Sequence, residues 1–455
     1  MRVKVAVPDQ VKHIIRLFGS RGYEIYIVGG VVRDALLGRP LIDWDFTTSA
    51  TPEEILALVP DSFYDNKYGT VGIKAEPKPY EVTTFRTEHG YSDARHPDEV
   101  RWGSSLEEDL ARRDFTINAM ALKSAQMHTA SGSLFELVDI HGGMEDLKAK
   151  LIRTVGDPDE RFAEDALRMM RAVRIGAQLM FNIEEETFEA IKRNANKLKG
   201  IAWERIREEL LKTLAAEYPA EGYMLLRNTG LGSLVLPEME ETFGVDQKSP
   251  GRHHQFDVGT HSVESLRHCP SSDPVTRLAT LIHDTGKVKT MRKYPDGRIT
   301  FYNHEMESAK IAENIADRLR FSKIQKERLV KLVRWHQFTV SEQLTDSAVR
   351  RFIRNVGLDL VEDMLALRTG DRLGGGARET SWRLEEFKKR LLEVQKQPFA
   401  VPDLKVNGRD VMELKGIGPG PKVGEYLNVI FNEVVENNLP NEREMLLKRL
   451  GEVSL

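Results

Sequence analysis

The sequence predicts an α+β protein in which a small mixed sheet near the N-terminus is followed by helices. Three observations support this class. Short apolar runs bounded by turn residues predict strands up to about residue 145, the strand pattern disappears from residue 158 to about 245, and helical spacing returns over 256–375. At roughly 100–200 residues per domain, the 455-residue chain is long enough for about two to four domains.

The N-terminal elements are predicted from their apolar spacing and from the glycines between them. Residues 1–22 are predicted to form one amphipathic helix, because the apolar residues from Val11 to Phe18 recur at helical spacing. The elements predicted after it are, in order, the strand Ile25–Val28, the helix Val31–Leu37 and the strands Trp44–Thr48, Gly72–Lys74 and Tyr80–Phe85.

The composition is that of ordinary globular domains. Hydrophobic residues make up 40% and charged residues 30%, which argues against a largely disordered chain. The 66 basic and 70 acidic residues give a net charge of −4, which excludes a uniformly basic nucleic-acid coat but allows a local basic face. The single cysteine, Cys269, excludes an intramolecular disulfide and a thiolate zinc cage. No apolar run approaches membrane-spanning length and no signal-peptide core is present, so we expect a cytoplasmic protein without membrane contact.

A glycine pair and two aspartates form the first candidate site. Gly29 and Gly30 lie between a predicted strand and a predicted helix, where the backbone can approach a phosphate closely and Arg33 can reach it. Asp43 and Asp45 are two residues apart on a predicted strand, so both carboxylates project from one face. Two such oxygen ligands together with substrate phosphates are a usual way to hold Mg²⁺. The alternative is an edge strand with two solvated aspartates.

Two further segments carry charge in patterns that suit a nucleotide. Arg113 and Asp114 lie in an otherwise apolar segment and could bind phosphate or ribose, or form a structural ion-pair cluster. The segment 157–174 is predicted to be one helix, on which an aspartate and several arginines share a face. Such a face could present an acceptor and a fork of donors to a nucleobase, or be a solvated ion-pair surface. Its charged residues are Arg161, Asp165, Arg168, Arg171 and Arg174.

The motifs GGVVRD, DWD, RRDFTINAMA and RFAEDALRMMRAVR, in this order and spacing, resemble those of class II tRNA nucleotidyltransferases. This family comprises the CCA-adding enzymes and bacterial poly(A) polymerases of the polymerase β superfamily. The resemblance implies that tRNA, CTP and ATP are the partners. It also implies catalytic metal binding at Asp43 and Asp45, with Glu81 either a third ligand or a sheet-edge charge. The nucleotide contacts implied are Gly30 and Arg33 to the triphosphate, Arg113 and Asp114 near the ribose, Asp165 and Arg168 as the protein template for cytosine and adenine, and Arg171 and Arg174 as support.

Histidines in the second half form another candidate site. His261, the adjacent pair His283 and Asp284, and Asp371 match the ordered ligands of HD-domain metal-dependent phosphohydrolases. Imidazole and carboxylate together favour transition metals such as Ni²⁺ or Mn²⁺ over Mg²⁺ alone. His304 and His336 are two weaker candidates that could complete a binuclear site, whereas we expect structural or surface roles for the remaining histidines of this region, His253, His254 and His268. The segment could hydrolyse phosphate esters or could be a structural body that holds tRNA.

The resemblance implies four domains. These are a nucleotidyltransferase head at 1–147, an all-helical neck with template and tRNA contacts at 148–248, a helical HD domain at 249–376 and a helical, tRNA-binding tail at 377–455. The head–neck hinge would be Asp139–Leu147. In the tail, the glycine-rich turn Gly416–Pro421 could bind a tRNA phosphate or only connect two helices.

Three functions are compatible with these motifs. The first is addition of C and A to tRNA 3′ ends. The second uses the same head to make poly(A), or to add only A or only CC; the segment Tyr91–Trp102 resembles the loop of CCA enzymes and so disfavours poly(A) and CC-only synthesis. The third is an RNA-binding HD phosphohydrolase with an inactive head, which the presence of both Asp43 and Asp45 disfavours. The oligomeric state is not predicted.

Overall fold

The structure is a computed structural model of the chain. It forms two compact units, Met1–Glu240 and Glu241–Leu455. The residues described are 1–66, 69–76, 78–89, 99–102, 105–129, 132–247, 256–338, 346–377, 382–394, 401–436 and 439–454. Most of the segment Tyr91–Trp102 and both His253 and His254 lie outside the described residues.

A mixed sheet dominates the first part of unit 1. The strands there are β1 Arg2–Val5, β2 Ile25–Val28, β3 Asp45–Thr48, β4 Ser62–Asn66, β5 Thr70–Ile73, β6 Tyr80–Thr84, β7 Arg86–His89, β8 Glu99–Trp102, β9 Met120–Thr129 and β10 Gly132–Asp139. Within the described residues, eight of them form one sheet in the order β1-β10-β9-β2-β3-β6-β5-β4. The strands β3 and β6 are parallel, which places Asp45 directly beside Glu81.

The helices of the same region cover the sheet and connect its strands. They are α1 Asp9–Ser20, α2 Gly30–Leu36, α3 Pro52–Leu58, α4 Leu106–Ala111 and α5 Gly143–Ala149. The prediction of one helix over residues 1–22 was wrong at its start, because Arg2–Val5 forms β1 and pairs with β10. The alternation of charged residues with Val3 and Val5 is a strand pattern, and the pairing with β10 buries Val5.

The second part of unit 1 is helical, apart from one short strand pair. Its helices are α6 Pro158–Glu164, α7 Leu167–Leu179, α8 Glu185–Asn194, α9 Trp203–Leu214, α10 Pro219–Asn228, α11 Gly232–Val235 and α12 Pro237–Glu240. The prediction of an all-helical neck misses β11 Leu151–Ile152 and β12 Asn182–Ile183, which pair in parallel. These two-residue strands are too short for a period-2 pattern to reveal them.

Unit 2 is also mainly helical. Its helices are α13 Val258–Arg267, α14 Pro274–Ile282, α15 Lys287–Thr290, α16 His304–Arg318, α17 Lys323–Trp335, α18 Asp346–Val356, α19 Val361–Gly374, α20 Trp382–Val394, α21 Gly408–Lys415, α22 Pro421–Val435 and α23 Arg443–Glu452. A short hairpin, β13 Arg292–Lys293 with β14 Ile299–Thr300, interrupts the predicted helical pattern. Among the described residues, no helix is both long and apolar enough to cross a bilayer.

Candidate active site and histidine cluster

The glycine pair lets the backbone pass close to charged side chains. Gly29 separates β2 from α2 and has a φ of 81°, in the left-handed region that favours glycine. A Cβ atom there would lie 3.1 Å from Asp45 Oδ2 and 3.5 Å from Arg113 Nη1. A larger residue at position 29 would therefore strain the backbone and crowd the side chains of Asp45 and Arg113.

Three carboxylates line one cavity of about 380 Å³ beside this turn. Asp45 is the first residue of β3, Glu81 is its neighbour on β6, and Asp43 lies just before β3 rather than on it. The structure thus brings together both predicted aspartates and the candidate third ligand. We name Asp43, Asp45 and Glu81 the carboxylate site.

The electrostatics of the carboxylate site suit a cation. Burial, followed by the nearby charge of Glu81, raises the pKa of Asp45 to about 7, although Arg113 opposes the shift. The Asp43 side chain is 64% exposed, and its Oδ1 lies 3.0 Å from Lys78 Nζ. Several negative charges around one cavity repel each other, and a divalent metal ion bound by their oxygen atoms would relieve that repulsion.

Arginine side chains line two cavities that adjoin the carboxylate site. One, of about 310 Å³, shares Asp45 and Glu81 with it, and the other, of about 290 Å³, shares Asp43 and Asp45. The predicted nucleotide contacts that line one or both are Gly30, Arg33, Arg113, Asp114, Arg168, Arg171 and Arg174. We call these two spaces the arginine cavities.

A buried hydrogen-bond network holds several of the side chains that line the arginine cavities. Arg33 Nη1 donates to Asn118 Oδ1 at 2.8 Å, and Asn118 Nδ2 donates to Asp114 Oδ1 at 3.2 Å. Asp114 also lies 2.8 Å from Arg171 Nη2. Burial opposes ionisation, yet Arg171 and the Asn118 hydrogen bond hold the pKa of Asp114 below its usual value. In this arrangement Asp114 positions arginine side chains, and its predicted contact with ribose stays a prediction.

The prediction of one helix over residues 157–174 was wrong. Helix α6 ends at Glu164, α7 begins at Leu167, and Asp165 between them has an extended backbone with φ −145° and ψ 105°. Asp165 Oδ1 accepts a hydrogen bond from Leu167 N at 3.0 Å, so its side chain competes with the helical hydrogen bonds. Asp165 and Arg168 therefore do not share a continuous helix face, although both lie at the start of α7.

Acidic and basic partners hold the two proposed template residues. Arg205 Nη2 on α9 lies 2.8 Å from Asp165 Oδ2, and Glu164 Oε2 lies 2.5 Å from Arg168 Nη1. Arg168 Nη2 also donates to the Arg112 carbonyl at 3.3 Å. Both side chains thus have intramolecular partners, and their role as a template stays a prediction.

Sequence analysis missed other carboxylates that hold the arginines. Asp109 is fully buried and lies 2.7 Å from Arg112 Nη2 and 3.1 Å from Arg113 Nη2. Glu209 on α9 is also buried and lies 2.8 Å from Arg174 Nε. Asp109 lies three and four residues before Arg112 and Arg113, a spacing at which opposite charges often pair near a helix end, so this signal could have found Asp109. Glu209 is distant in sequence from its partner and carries no local signal.

In unit 2 the six predicted HD ligands come together although they span more than a hundred residues. His261 lies on α13, His283 and Asp284 follow α14, His304 begins α16, His336 follows α17 and Asp371 lies on α19. Their closest approaches include 3.1 Å from His261 Nε2 to Asp371 Oδ1, 3.1 Å from His304 Nε2 to Asp284 Oδ1 and 3.3 Å from His304 Nε2 to His336 Nε2. We name these six residues the histidine cluster.

The second ring nitrogens of three histidines are fixed by backbone carbonyls. The Nδ1 atoms of His283, His304 and His336 lie 2.7, 2.8 and 2.7 Å from carbonyl oxygens three residues earlier. This anchoring directs each Nε2 inward, as metal-binding histidines require. His283 Nε2 is buried and faces two carboxylate oxygens, Asp284 Oδ2 at 3.3 Å and Asp371 Oδ1 at 3.6 Å, so it lies among other potential metal ligands.

The ligand atoms form two overlapping triplets. Those of His261, His283 and Asp371 lie within 4.8 Å of one another, and so do those of His283, Asp284 and His336. Lys287, to which we assigned no role, lies 2.6 Å from Asp284 Oδ2 through its Nζ. It is the last residue of the segment HDTGK, which begins with the predicted ligands His283 and Asp284. His268 is exposed at the end of α13 and lies outside both triplets.

The mixed sheet, the glycine turn and the carboxylate site next to arginine cavities define a nucleotidyltransferase of the polymerase β class. Residues 25–153 match the poly(A) polymerase head domain family, 180–243 the RNA and SrmB-binding site of polymerase A, and 298–450 tRNA nucleotidyltransferase domain 2. The chain belongs to the tRNA nucleotidyltransferase family of CCA-adding enzymes. Enzymes of this family use divalent metal ions.

Curated relatives cover nearly the whole chain. The CCA-adding enzyme of Ligilactobacillus salivarius is 34% identical over 97% of this chain and 96% of its own length. The A-adding tRNA nucleotidyltransferase of Deinococcus radiodurans is 33% identical over 94% of this chain and 95% of its own. The predicted family, the α+β fold class and the enzyme class are thereby confirmed.

A solved structure gives the same result for the fold. The Bacillus stearothermophilus CCA-adding enzyme in complex with CTP has a TM-score of 0.70 and 29% identity, and the match covers 98% of this chain and 96% of that one. The likeness therefore extends over both units of the chain and is not limited to the head.

Proposed function

We propose that this protein adds C and A, from CTP and ATP, to the 3′ end of tRNA. The observation that carries the proposal is the carboxylate site, whose residues are shared with the walls of two arginine cavities. Transfer of a nucleotide from a triphosphate needs a metal site next to a site that binds a polyanion, and these cavities place the two side by side. The kinship with CCA-adding enzymes supplies tRNA as the acceptor.

Asp43 and Asp45 would hold Mg²⁺, with Glu81 as the candidate third ligand. When bound, the metal lowers the pKa of the attacking 3′ hydroxyl and neutralises charge that develops on the phosphates. Arg33 would bind the triphosphate through charge-assisted hydrogen bonds, Arg113 would hold the nucleotide near its ribose, and Arg171 and Arg174 on α7 would support it. Asp109 holds Arg113 and its neighbour Arg112, and Glu209 holds Arg174, so these side chains are in place before the nucleotide arrives.

Asp165 and Arg168 would select the base. A carboxylate accepts hydrogen bonds and a guanidinium donates them, so together they can match the mixed donor–acceptor edges of cytosine and adenine. Their present partners, Arg205 and Glu164, limit where each side chain can point. Base selection then depends on an arrangement held by two helices, α7 and α9, rather than on one helix face.

Product length tests the proposal directly. A tRNA that ends before CCA should gain two nucleotides with CTP alone and three with CTP and ATP. No extension with CTP, together with extension by ATP of a tRNA ending in CC, would identify an A-adding enzyme. That alternative has specific support, because the Deinococcus radiodurans A-adding enzyme is 33% identical to this chain, close to the 34% of the Ligilactobacillus salivarius CCA-adding enzyme.

We also propose that the histidine cluster is a binuclear transition-metal site with phosphohydrolase activity. Asp284 lies between the two groups of histidines, with Oδ2 3.3 Å from His283 Nε2 and Oδ1 3.1 Å from His304 Nε2, so its carboxylate could bridge two ions. Imidazole-rich ligand sets favour ions such as Ni²⁺ and Mn²⁺. Assays with a phosphomonoester and a 2′,3′-cyclic nucleotide, each with added Mn²⁺ or Ni²⁺, test the activity. Absence of hydrolysis and of bound metal would leave the cluster a structural core.

A further inference from the structure

The cavity around the carboxylate site has a wall that the predicted nucleotide contacts do not use. The residues it shares with the arginine cavities are all acidic, namely Asp43, Asp45 and Glu81. Its remaining lining residues are Trp44, Phe63, Gly72, Lys78 and Pro79. This wall therefore offers two aromatic side chains, of which Trp44 is buried and Phe63 is exposed, and one ammonium group, whereas the arginine cavities offer several guanidinium groups.

Phe63 is held in place yet exposed. It lies on β4 and pairs across the sheet with Gly72 on β5. A Cβ atom on Gly72 would lie 2.7 and 2.9 Å from two carbons of the Phe63 ring, so the absence of a side chain at Gly72 lets the ring lie against the strand. The residue nevertheless remains 41% exposed. A fixed, accessible aromatic ring is a surface on which a nucleobase can stack.

Lys78 brings a positive charge to the same wall. Its side chain is 63% exposed, and its Nζ lies 3.0 Å from Asp43 Oδ1. Exposed ion pairs of this kind stabilise a fold little, so the ammonium can exchange Asp43 for another anion at small cost. A metal ion bound to Asp43 would favour that exchange, because it competes with Lys78 for the carboxylate.

The direction of the reaction indicates what occupies this wall. In phosphoryl transfer the attacking and leaving oxygens lie roughly in line through the phosphorus. The arginine cavities suit the triphosphate, and hence the leaving pyrophosphate. The attacking hydroxyl must then approach from another side of the carboxylate site, and the wall with Phe63 and Lys78 adjoins that site.

We propose that Phe63 and Lys78 bind the 3′-terminal nucleotide of the acceptor RNA, with its base stacked on Phe63 and its phosphate paired with Lys78. The proposal rests on the nucleotidyltransferase function and adds to it the residues that position the acceptor. It separates the contacts for the acceptor RNA from the arginines that bind the incoming nucleotide.

Steady-state kinetics with a tRNA that ends before CCA test the proposal. Phe63→Leu should raise the KM for this tRNA roughly tenfold, because one stacked base is lost, and leave the KM for CTP unchanged. Phe63→Tyr, which keeps the ring, should restore the tRNA KM. Lys78→Ala should raise the tRNA KM and reduce the salt dependence of tRNA binding by about one phosphate contact, whereas Lys78→Arg should not.

Matched controls are available in the same strands. Tyr64 is the next residue on β4, is 46% exposed and lies on the opposite face, so Tyr64→Leu should leave both KM values unchanged. Lys74, an exposed lysine after β5, serves the same purpose through Lys74→Ala. Lys78 is exposed, so Lys78→Ala keeps the test valid even if Phe63→Leu fails to fold.

A binding measurement without metal provides a readout that is independent of turnover. An RNA minihelix with 2-aminopurine as its 3′-terminal base should change fluorescence on binding in EDTA, and Phe63→Leu should abolish the change. An unchanged signal in Phe63→Leu, or equal effects of Phe63→Leu and Tyr64→Leu on the tRNA KM, would overturn the proposal. Failure of the wild-type protein to extend tRNA would instead contradict the proposed function itself.

Discussion

The histidine cluster and the carboxylate site differ in how close together and how buried their candidate metal ligands are. In the cluster, both ligand triplets have their donor atoms within 4.8 Å of one another, and His283 is almost fully buried. In the carboxylate site, Asp43 is 64% exposed and paired with Lys78, and burial together with Glu81 raises the pKa of Asp45. In the histidine cluster the ligand atoms already lie close enough to bind a metal ion. In the carboxylate site the protein supplies only part of the ligands that a metal ion needs.

This difference indicates what each ion does. A buried cluster whose ring nitrogens are anchored by carbonyls fits an ion that remains bound between turnovers. Two or three carboxylates in an open cavity fit an ion that completes its ligands with substrate phosphates. We therefore expect a resident transition metal in unit 2 and a substrate-dependent Mg²⁺ in unit 1, and the following predictions test that contrast.

The largest effect should come from the carboxylate site. Asp45→Asn should slow nucleotide addition by at least about 10³-fold, because metal charge stabilisation contributes several kcal/mol in the transition state. Hydrolysis at the histidine cluster should persist. Asp61→Asn, at an exposed aspartate of the same region, is the control. Turnover near the wild-type rate with Mg²⁺ would remove Asp45 from the catalytic site.

The stability of the same variant separates lost catalysis from misfolding. The folded-state pKa of Asp45 is raised to about 7, so its ionised form opposes folding without metal, increasingly as pH rises from the unfolded pKa towards 7. Asp45→Asn removes that cost. At pH 8 in EDTA, the variant should therefore unfold at a temperature equal to or above that of the wild type, as thermal denaturation can measure. A lower unfolding temperature would show that Asp45 has a structural role.

The next effect should be confined to unit 2. His283→Ala removes the ligand that both triplets share, so bound transition metal and hydrolysis should fall to background while nucleotide addition continues. Elemental analysis and a phosphodiesterase assay measure the two losses. His268→Ala, at an exposed histidine of the same region, should change neither. Joint loss of both activities would mean that the cluster holds the fold together.

A smaller effect is expected at the template. Asp165→Ala should reduce discrimination against UTP and GTP by a factor that corresponds to roughly 1–3 kcal/mol, with a smaller change in overall rate. Sequencing the added nucleotides from a mixture of the four NTPs measures it. Arg205→Gln, which removes the Asp165 partner, should shift selectivity in the same direction but less. If selectivity stays intact while only the rate falls, Asp165 is not part of the template.

The smallest effect concerns binding of tRNA. The net charge is −4, so attraction to RNA must come from local patches and should weaken with salt. Binding measured between low and moderate salt should give a negative slope of log affinity against log salt. A flat plot would contradict a phosphate-based interface.

Much of the site could be predicted because its residues form short motifs. Asp43 and Asp45, or His283 and Asp284, are neighbours in sequence, so local spacing carries the signal. The break at Asp165 could not be predicted by helical periodicity, since a side-chain hydrogen bond to Leu167 overrides the helical pattern there. Glu209 was missed because its contact with Arg174 exists only in the folded chain.

Predicting the fold from sequence has the same limit, because contacts between distant residues carry no local signal. The α+β class follows from long patterns, but β1 was missed because a strong amphipathic helix, α1, begins only a few residues later and dominates the local periodicity. The strands β9 and β10 were also not predicted, and they contribute the partner for β1 and the neighbour for β2. Domain bounds and the cytoplasmic location stay predictions.

Activity after removal of all metals tests the central claim most directly. Protein stripped with a chelator and given only Mg²⁺ should extend a tRNA that ends before CCA by three nucleotides with CTP and ATP, because the carboxylate site needs no resident ion. The length of the product measures this on a denaturing gel. No extension until Mn²⁺ or Ni²⁺ is returned would show that transfer depends on the histidine cluster, and would contradict the separation of the two sites.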